Sequence, residues 1–131
     1  MKVVVGTIVA VKEDDRLLLL KRAMDDTEPG LWEFPKGTYE NFDLTIHDTA
    51  KRELEEETGL KAADMRYLGD ISRKEDDTLY TGYAYLASKF HGEIRLSAEH
   101  EKYQWVKKPQ LAEYKLSENT LAFLRLYGDC I

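Results

Sequence analysis

The chain has 131 residues, enough for one domain with a hydrophobic core and too few for two. Its formal net charge is -6, with acidic residues spread along the chain, which argues against unspecific binding to nucleic acid or anionic membranes. The single cysteine, Cys130, excludes an internal disulfide, and the N-terminus lacks the pattern of a signal peptide. We therefore expect a cytoplasmic protein.

The first part of the chain predicts strands separated by polar turns. Residues 3–12 are β-branched and almost continuously apolar, which predicts a strand buried on both faces. Residues 16–22 predict the second strand of a hairpin. Residues 23–30 predict a loop, and residues 31–34 a short strand that leads into Pro35-Lys36-Gly37.

The next predicted element is an acidic helix from about Ile46 to Thr58. Thr45, followed three residues later by Asp48, fits a capping box at its start. Gly59 supplies the left-handed residue that commonly ends a helix.

Three carboxylates share one face of this helix. At about 100° per residue, Glu53, Glu56 and Glu57 fall within one third of the circumference. Like charges this close repel each other, and a divalent cation is the simplest group that relieves the repulsion. Ligands that are oxygen atoms alone favour a hard ion, Mg²⁺ first and Mn²⁺ second. A Glu-rich helix can also be only a solvated surface, so the flanking residues decide between these interpretations.

The remainder of the chain predicts three strands and two helical segments. The strands are residues 66–74, 78–90 and 102–106, and a helical turn covers residues 109–114. A closing helix runs from about Glu118 to Tyr127, with Ser117 as N-cap and Gly128 just beyond its end. Its predicted apolar face consists of Leu121, Phe123, Leu124 and Tyr127. Together these elements predict one α/β domain over residues 1–131, with helices on both faces of a mixed sheet.

The acidic helix and the loop before it resemble the signature of the Nudix hydrolases, G-x5-E-x7-R-E-U-x-E-E-x-G-U, where U is bulky and apolar. The second half matches at every fixed position, from Arg52 to Leu60. The first half begins at Gly37 but departs twice, because Asp43 stands at the glutamate position and one extra residue precedes Arg52. Both departures fall in the loop, where insertions are best tolerated.

The resemblance implies a Nudix-type α/β/α sandwich and a hydrolase that acts on phosphoanhydride bonds. It implies that Glu53 and Glu57 are the main metal ligands, joined by the backbone carbonyl of Gly37. Glu56 is a further ligand or orients the water, and Arg52 orients one of the helix glutamates through a salt bridge.

The general base stays open between Glu56 and a later glutamate. Residues 99–105 resemble the E-H-x-x-Y-x-W segment of many family members, whose glutamate ligates metal or acts as base. That role maps onto Glu99, with Glu101 as the fallback, unless both are solvated loop acids. His100 is interpreted as structural, since one histidine cannot make a metal site and no partner is evident.

Lys36 is the main indication of a substrate. It stands in Pro-Lys-Gly, which family members acting on dinucleoside polyphosphates often carry, with the lysine near a phosphate. Residues 32–35, Trp-Glu-Phe-Pro, also occur in housecleaning nucleoside triphosphate pyrophosphatases, which are the second candidate. Lys21 and Arg22 are weaker candidates for phosphate contact. Four tyrosines either stack on a nucleobase or belong to the core: Tyr39, Tyr80, Tyr83 and Tyr85.

A catalytically silent Nudix-fold binding or regulatory module is the alternative from a different class. Degenerate family members usually lose a helix glutamate, whereas this chain keeps all three. The expected partner is a small nucleotide polyphosphate, with no nucleic acid and no membrane. We expect a monomer or a homodimer, for which an exposed N-terminal strand would offer an edge.

Overall fold

The computed structural model describes residues 1–25 and 27–131. The predicted loop over residues 23–30 has no helix or strand where it is described, and its residue 26 lies outside the described residues. Neither α-helix in the described ranges is long and apolar enough to cross a membrane.

The strands are β1 Lys2–Glu13, β2 Arg16–Arg22, β3 Trp32–Glu33, β4 Lys36–Thr38, β5 Lys61–Glu75, β6 Thr78–His91 and β7 His100–Lys107. The α-helices are α1 Ile46–Thr58 and α2 Glu118–Tyr127, and 3₁₀ turns cover Lys108–Glu113 and Gly128–Cys130.

β1 is the strand around which the sheet is built. It pairs in parallel with β6 along most of its length and antiparallel with β4 over residues 6–8. Its last two residues pair with the start of β2, which then turns away to pair with β3 and β7. β5 pairs antiparallel with β6 at the outer edge. This mixed sheet, with one helix on each face, confirms the predicted architecture.

Alternating residues of β1 and β2 fill two hydrophobic cores. Ile8 and Leu17 contribute to the core on the α2 side, together with Phe123. Val9 and Leu18 point the opposite way, into the core beneath α1. Because successive strand residues face opposite sides, a continuous apolar run is required here. The predicted burial on both faces is confirmed for residues 7–11, whereas Val3 is 54% exposed.

Two features of the fold differ from the sequence prediction. β4 was not expected, because Pro35 and Gly37 are turn formers; it exists through its pairing with β1, where Thr7 lies opposite Gly37. Leu121 belongs to the predicted apolar face of α2, but its side chain is 44% exposed and lines an open cleft. Periodicity alone could not separate a core contact from the wall of an open cleft.

Candidate active site

The acidic helix α1 begins and ends at the predicted residues. The Thr45 hydroxyl accepts a hydrogen bond from the Asp48 backbone N–H at 3.0 Å, which satisfies one orphan donor of the first turn. Gly59 has a φ of 80°, and its N–H donates to the Glu55 carbonyl at 2.7 Å. A Cβ at Gly59 would also lie 2.7 Å from the carbonyl oxygen of Glu93. Both the positive φ and this close approach therefore require glycine at position 59. The face of α1 that carries Ala50, Leu54 and Thr58 is buried.

A cleft of about 980 Å³ runs between the sheet and α2. Its acidic wall includes Glu53 and Glu57 from α1 and Glu99 from the segment before β7. Its apolar residues come largely from β1 and α2, and the most exposed of them are Leu121 and Leu126. A carboxylate cluster beside an apolar slot suits a ligand with one charged and one flat apolar part.

The N-terminus of α2 is fixed to the strand side of the cleft. The Phe34 backbone N–H donates a hydrogen bond to the Thr120 hydroxyl at 3.0 Å, although the two residues are 86 positions apart in the sequence. Ser117 caps the helix by accepting from the Thr120 N–H at 3.3 Å. This anchoring holds the cleft-lining residues of α2 opposite β6.

Glu57 is the most deeply buried carboxylate of the cleft, with 4% of its surface exposed. Its Oε1 accepts from the Lys36 backbone N–H at 2.9 Å. The segment before β7 is bound to the end of α1, because the Arg95 N–H donates to the Thr58 carbonyl at 2.7 Å. This brings Glu99 against Glu57. Burial and the hydrogen bond with Glu99 raise the pKa of Glu57 to about 9.

Glu53 lies on the same wall, pressed against β4. A Cβ built on Gly37 would lie 2.0 Å from Cδ of Glu53, so only glycine leaves room for this carboxylate. Burial raises the pKa of Glu53 above its ordinary value, and the Arg52 guanidinium opposes that rise. The Gly37 carbonyl oxygen lies 2.7 Å from a Cβ built on Gly6, and Gly37 lines the cleft, so this carbonyl stays a predicted metal ligand.

Arg52 joins the loop to the helix carboxylates. Its Nε and Nη2 donate to the two oxygens of Asp43 at 2.9 and 2.8 Å, a bidentate pair. Its Nη1 donates to Glu53 at 2.8 Å and to Glu56 at 3.2 Å. Asp43 also accepts from the Thr49 hydroxyl. The Arg52 hydrogen bonds hold the pKa of the Asp43 carboxyl well below its usual range, so Asp43 takes the place of the expected glutamate despite the extra residue.

Asp43→Asn should therefore lower both stability and activity. The amide keeps the shape but loses the charge that holds Arg52, so Glu53 loses its orientation. We expect a fall of roughly 10- to 100-fold in kcat/KM, the range typical of residues that orient metal ligands. Because the pKa of Asp43 is depressed in the folded state, its stabilisation is present above about pH 4 and fades as the pH falls further.

Urea unfolding at pH 7 and pH 3 measures this effect, and Glu56→Gln is the matched control. The Glu56 side chain is 56% exposed, so removing its contact with Arg52 should hardly change the unfolding midpoint. Equal midpoints for the Asp43 variant and the wild type at pH 7 would contradict the anchoring role.

The candidate acids do not all lie together. Glu99 approaches Glu57, whereas Glu101 forms an ion pair with Lys21 at 3.5 Å on another part of the surface. Glu56 contacts Arg52 and is not one of the described residues that line the cleft. Among the candidates for the general base, this arrangement favours Glu99.

The four tyrosines also divide by position. Tyr80 lines the cleft, with the Arg73 guanidinium 4.4 Å above its ring centroid. Tyr83 and Tyr85 pack into the α1-side core on the opposite face of the sheet. The Tyr39 hydroxyl donates to the backbone carbonyl of the loop that precedes α1. Of the four, only Tyr80 can face a ligand in this cleft.

A buried ionic cluster behind the acidic wall was not predicted. Glu33 is 3% exposed, and its Oε1 accepts a hydrogen bond from Nε of Arg22 at 3.0 Å. Nη2 of Arg22 forms an ion pair with the same oxygen at 3.0 Å. Its other oxygen lies 2.8 Å from Nε2 of His100. Burial alone would raise the pKa of Glu33, but His100, Lys36 and Arg22 hold it below its ordinary value. The interpretation that His100 lacks a partner is wrong; the partner lies far away in sequence, and no local pattern indicates it.

The donor set fits a divalent cation. One ligand atom each from Glu57, Glu99 and His100 lies within 4.8 Å of the others. Glu53 lines the same cleft, and only a glycine at position 37 leaves space for its carboxylate. Burial first, and the neighbouring carboxylates second, raise the pKa values of Glu53 and Glu57, and a cation would stabilise the charged forms of both groups.

Comparison with known proteins agrees with this geometry. The family model of the NUDIX domain matches residues 1–127. CTP pyrophosphohydrolase from Escherichia coli (strain K12) is 26% identical over 127 residues, which cover 97% of this chain and 93% of that protein. The asymmetrical bis(5'-nucleosyl)-tetraphosphatase of Mus musculus is 33% identical over 100 residues, 69% of this chain and 67% of that protein.

Solved structures show the same fold. The solution structure of the E. coli ORF135 protein superposes with a TM-score of 0.84 at 25% identity, covering 98% of this chain and 91% of that one. The MutT NUDIX hydrolase from Burkholderia pseudomallei superposes with a TM-score of 0.80 at 27% identity, covering 96% and 98%. The acidic helix, the sheet and the family-model match over residues 1–127 agree, so this chain belongs to the Nudix family and is a pyrophosphohydrolase.

Proposed function

We propose that this protein cleaves a phosphoanhydride bond of a nucleoside polyphosphate with the help of a divalent metal ion, Mg²⁺ or Mn²⁺. The observation that carries the proposal is the crowding of Glu53, Glu57 and Glu99 on one wall of the cleft. Crowded carboxylates of this kind are stabilised by a cation, and a polyphosphate chain brings oxygens that complete its coordination. The proposal also includes a reducing compartment, in keeping with the exposed thiol of Cys130.

The chain's own residues divide the chemistry between them. A divalent ion would supply charge neutralisation on the phosphate oxygens and would lower the pKa of the attacking water. Glu53 and Glu57 would hold the ion, and Arg52 orients Glu53 through the hydrogen bond at 2.8 Å. Glu99 is exposed toward the cleft and receives the proton of the water, with Glu56 as the alternative base.

The first substrate class that we propose is the nucleoside triphosphates, a choice that the cleft and the comparisons both support. Leu121 and Leu126 on α2 offer an apolar surface for one nucleobase, with the Asn119 amide beside them as a donor and acceptor. The E. coli relative that matches nearly the full length of this chain is a CTP pyrophosphohydrolase. This ranking reverses the preference drawn from Lys36, because the Lys36 ammonium group lies 3.9 Å from Glu33 and is already partly neutralised.

The test separates and measures the hydrolysis products of CTP, the other nucleoside triphosphates, diadenosine tetraphosphate and ADP-ribose. Each substrate is assayed with Mg²⁺ and with Mn²⁺. We expect metal-dependent release of pyrophosphate, fastest with one triphosphate. Glu57→Gln, prepared in the same way, is the control for contaminating phosphatases. Absence of turnover by a folded wild-type protein on every substrate would favour a silent binding module instead.

Leu121→Gln is expected to raise KM for the preferred triphosphate about three- to tenfold and to leave kcat nearly unchanged. The reason is that Leu121 is apolar, half exposed and part of the cleft wall, so its contact with a base contributes to binding rather than to the chemical step. Leu44→Gln is the control, because Leu44 is 91% exposed and is not among the described residues lining the cleft. Equal effects of the two changes on KM would argue against the base slot.

Dinucleoside polyphosphates are the second candidate, favoured because Lys36 lines the cleft and the mouse relative is a bis(5'-nucleosyl)-tetraphosphatase. Lys36→Met keeps the aliphatic stem and the backbone N–H to Glu57 but removes the charge. If this class is the substrate, KM for diadenosine tetraphosphate should rise about tenfold, since one lost charged hydrogen bond has that effect. KM for CTP should change less than about twofold. Equal changes for both substrates would remove the reason for this candidate.

A further inference from the structure

Helix α2, which forms one wall of the cleft, is attached to the sheet near both of its ends. Its N-terminal end is held by the hydrogen bond between the Phe34 backbone and the Thr120 hydroxyl. At its C-terminal end, the Tyr127 hydroxyl donates a hydrogen bond of 2.6 Å to the backbone carbonyl of Asp70 in β5. Cleft-lining residues of α2 lie between these two attachments, so both of them determine where this wall stands.

The backbone of β5 is shaped to receive Tyr127. The pairing of β5 with β6 shifts by one residue between Tyr67 and Gly69, which marks a β-bulge. Gly69 has a φ of 152°, and a Cβ there would lie 2.2 Å from the Tyr127 hydroxyl oxygen, so glycine leaves the space that this hydroxyl occupies. The Tyr127 ring also packs edge-to-face against Phe123, with 6.0 Å between the ring centroids. These contacts together fix the position of the Tyr127 side chain.

The hydrogen bond joins two residues that stand directly beside the two walls of the cleft. Ile71 follows Asp70 in β5, and Leu126 precedes Tyr127 in α2. Both Ile71 and Leu126 line the cleft. The bond between Tyr127 and Asp70 therefore sets the distance between β5 and the C-terminal part of α2.

We propose that Tyr127 is a positioning residue that sets the width of the apolar slot and thereby the affinity for the nucleobase. This inference rests on the proposed function, because it takes the slot beside Leu126 as the place of the base. Without the hydroxyl, α2 can pivot about its N-terminal attachment, and only a fraction of the molecules keeps the width that fits a base. The apparent affinity for a nucleotide falls in proportion to that fraction.

The same change should leave binding of the phosphate chain unaltered. The acidic wall is formed by residues of α1 and of the segment before β7, and neither of these elements carries Tyr127 or Asp70. A loss of affinity that depends on the presence of a base therefore distinguishes a positioning role of Tyr127 from a general loss of structure.

The experiment compares Tyr127→Phe with the wild type by titration calorimetry of the full chain in Mg²⁺. The ligands are the α,β-methylene analogues of the four nucleoside triphosphates and methylenediphosphonate, which has the bridged phosphonate groups but no base. We expect the variant to bind the best of the four analogues about three- to tenfold more weakly, the effect of one lost hydrogen bond, and methylenediphosphonate with unchanged affinity. Equal affinities of variant and wild type for that analogue would overturn the inference, and so would an equal loss for both kinds of ligand.

Tyr67→Phe is the matched control, because Tyr67 is a tyrosine of the same strand whose ring packs against Tyr83 and Tyr85 on the opposite face of the sheet. It should bind every ligand as the wild type does, and a loss equal to that of the Tyr127 variant would contradict the positioning role. A wild type that binds no nucleotide analogue better than methylenediphosphonate would also overturn the inference. Hydrolysis is measured separately, so metal-dependent turnover with unchanged binding by the Tyr127 variant leaves the proposed function standing while this inference fails. Base-dependent binding that is lost in the variant, without turnover by the wild type, contradicts the proposed function alone.

Discussion

Glu57→Gln is expected to lower metal-dependent hydrolysis more than about a hundredfold, a larger loss than is typical of residues that only orient a ligand. Glu57 is the most buried acid of the cleft, and it contacts both the Lys36 backbone and Glu99. Glutamine can keep the hydrogen bond from the Lys36 N–H, so the backbone should stay in place. The loss would then report the missing negative charge rather than a change of fold.

The same change should stabilise the metal-free protein at neutral and alkaline pH. Glu57 has a pKa of about 9 in the folded protein against an ordinary value of 4.5. Between these values the folded state binds a proton that the unfolded state does not, so the stability of the wild type falls as the pH rises through this window. Glutamine has no charge to bury, and we expect it to gain roughly 2–4 kcal/mol at pH 8 and little at pH 4.

Urea unfolding in EDTA at the two pH values measures this difference. Addition of Mg²⁺ should raise the midpoint of the wild type and have little effect on the Glu57 variant, because ligand binding stabilises only a state that binds it. A variant that is less stable than the wild type at pH 8 in EDTA would contradict the buried-charge explanation. Near wild-type turnover would contradict the metal assignment itself.

Gly37→Ala is expected to have the second largest effect, although it adds a single methyl group. That methyl would lie 2.0 Å from Cδ of Glu53, inside the carboxylate. Glu53 must move by about an ångström, and a displacement of that size lowers a rate about 100-fold when a catalytic group is involved. Because the clash is with the end of a side chain that can rotate, the change should cost little stability, and the loss should appear in the activity.

The control for this prediction is Gly128→Ala. Nothing lies within 4 Å of a Cβ at Gly128, whose backbone is right-handed helical, so alanine should be neutral or slightly stabilising. Steady-state kinetics and thermal unfolding of the two variants separate the added methyl group from loss of glycine in general. If the Gly37 variant is as active as the Gly128 variant, Glu53 has no role in holding a metal.

The parts of the fold that the sequence predicts well are those specified by neighbours in the chain. Helix α1 is an example, because Thr45 and Gly59 cap it through contacts within the helix itself. The first hairpin is another, since a polar turn joins two apolar runs. The acidic face follows from the helical period, and the resemblance to a known family added the roles predicted for its residues.

The parts that sequence analysis missed depend on residues far apart in the chain. β4 owes its existence to pairing with β1, and the exposure of Leu121 depends on where α2 packs. His100 meets Glu33 only because β7 and β3 both pair with β2. These contacts join residues that are far apart in the sequence. Propensities and motifs describe neighbouring residues only, so they cannot predict such contacts.

The parallel pairing of β1 with β6 also determines the order in which the chain can fold. The two strands lie more than half the chain apart, whereas the β5–β6 hairpin closes through a short turn. Loop closure over such a distance is slow, so the hairpins should form early and the central pair should dock late. The cleft does not exist before that docking, since β4 and α1 are arranged against β1. Metal ions should therefore slow the unfolding of this protein rather than accelerate its refolding.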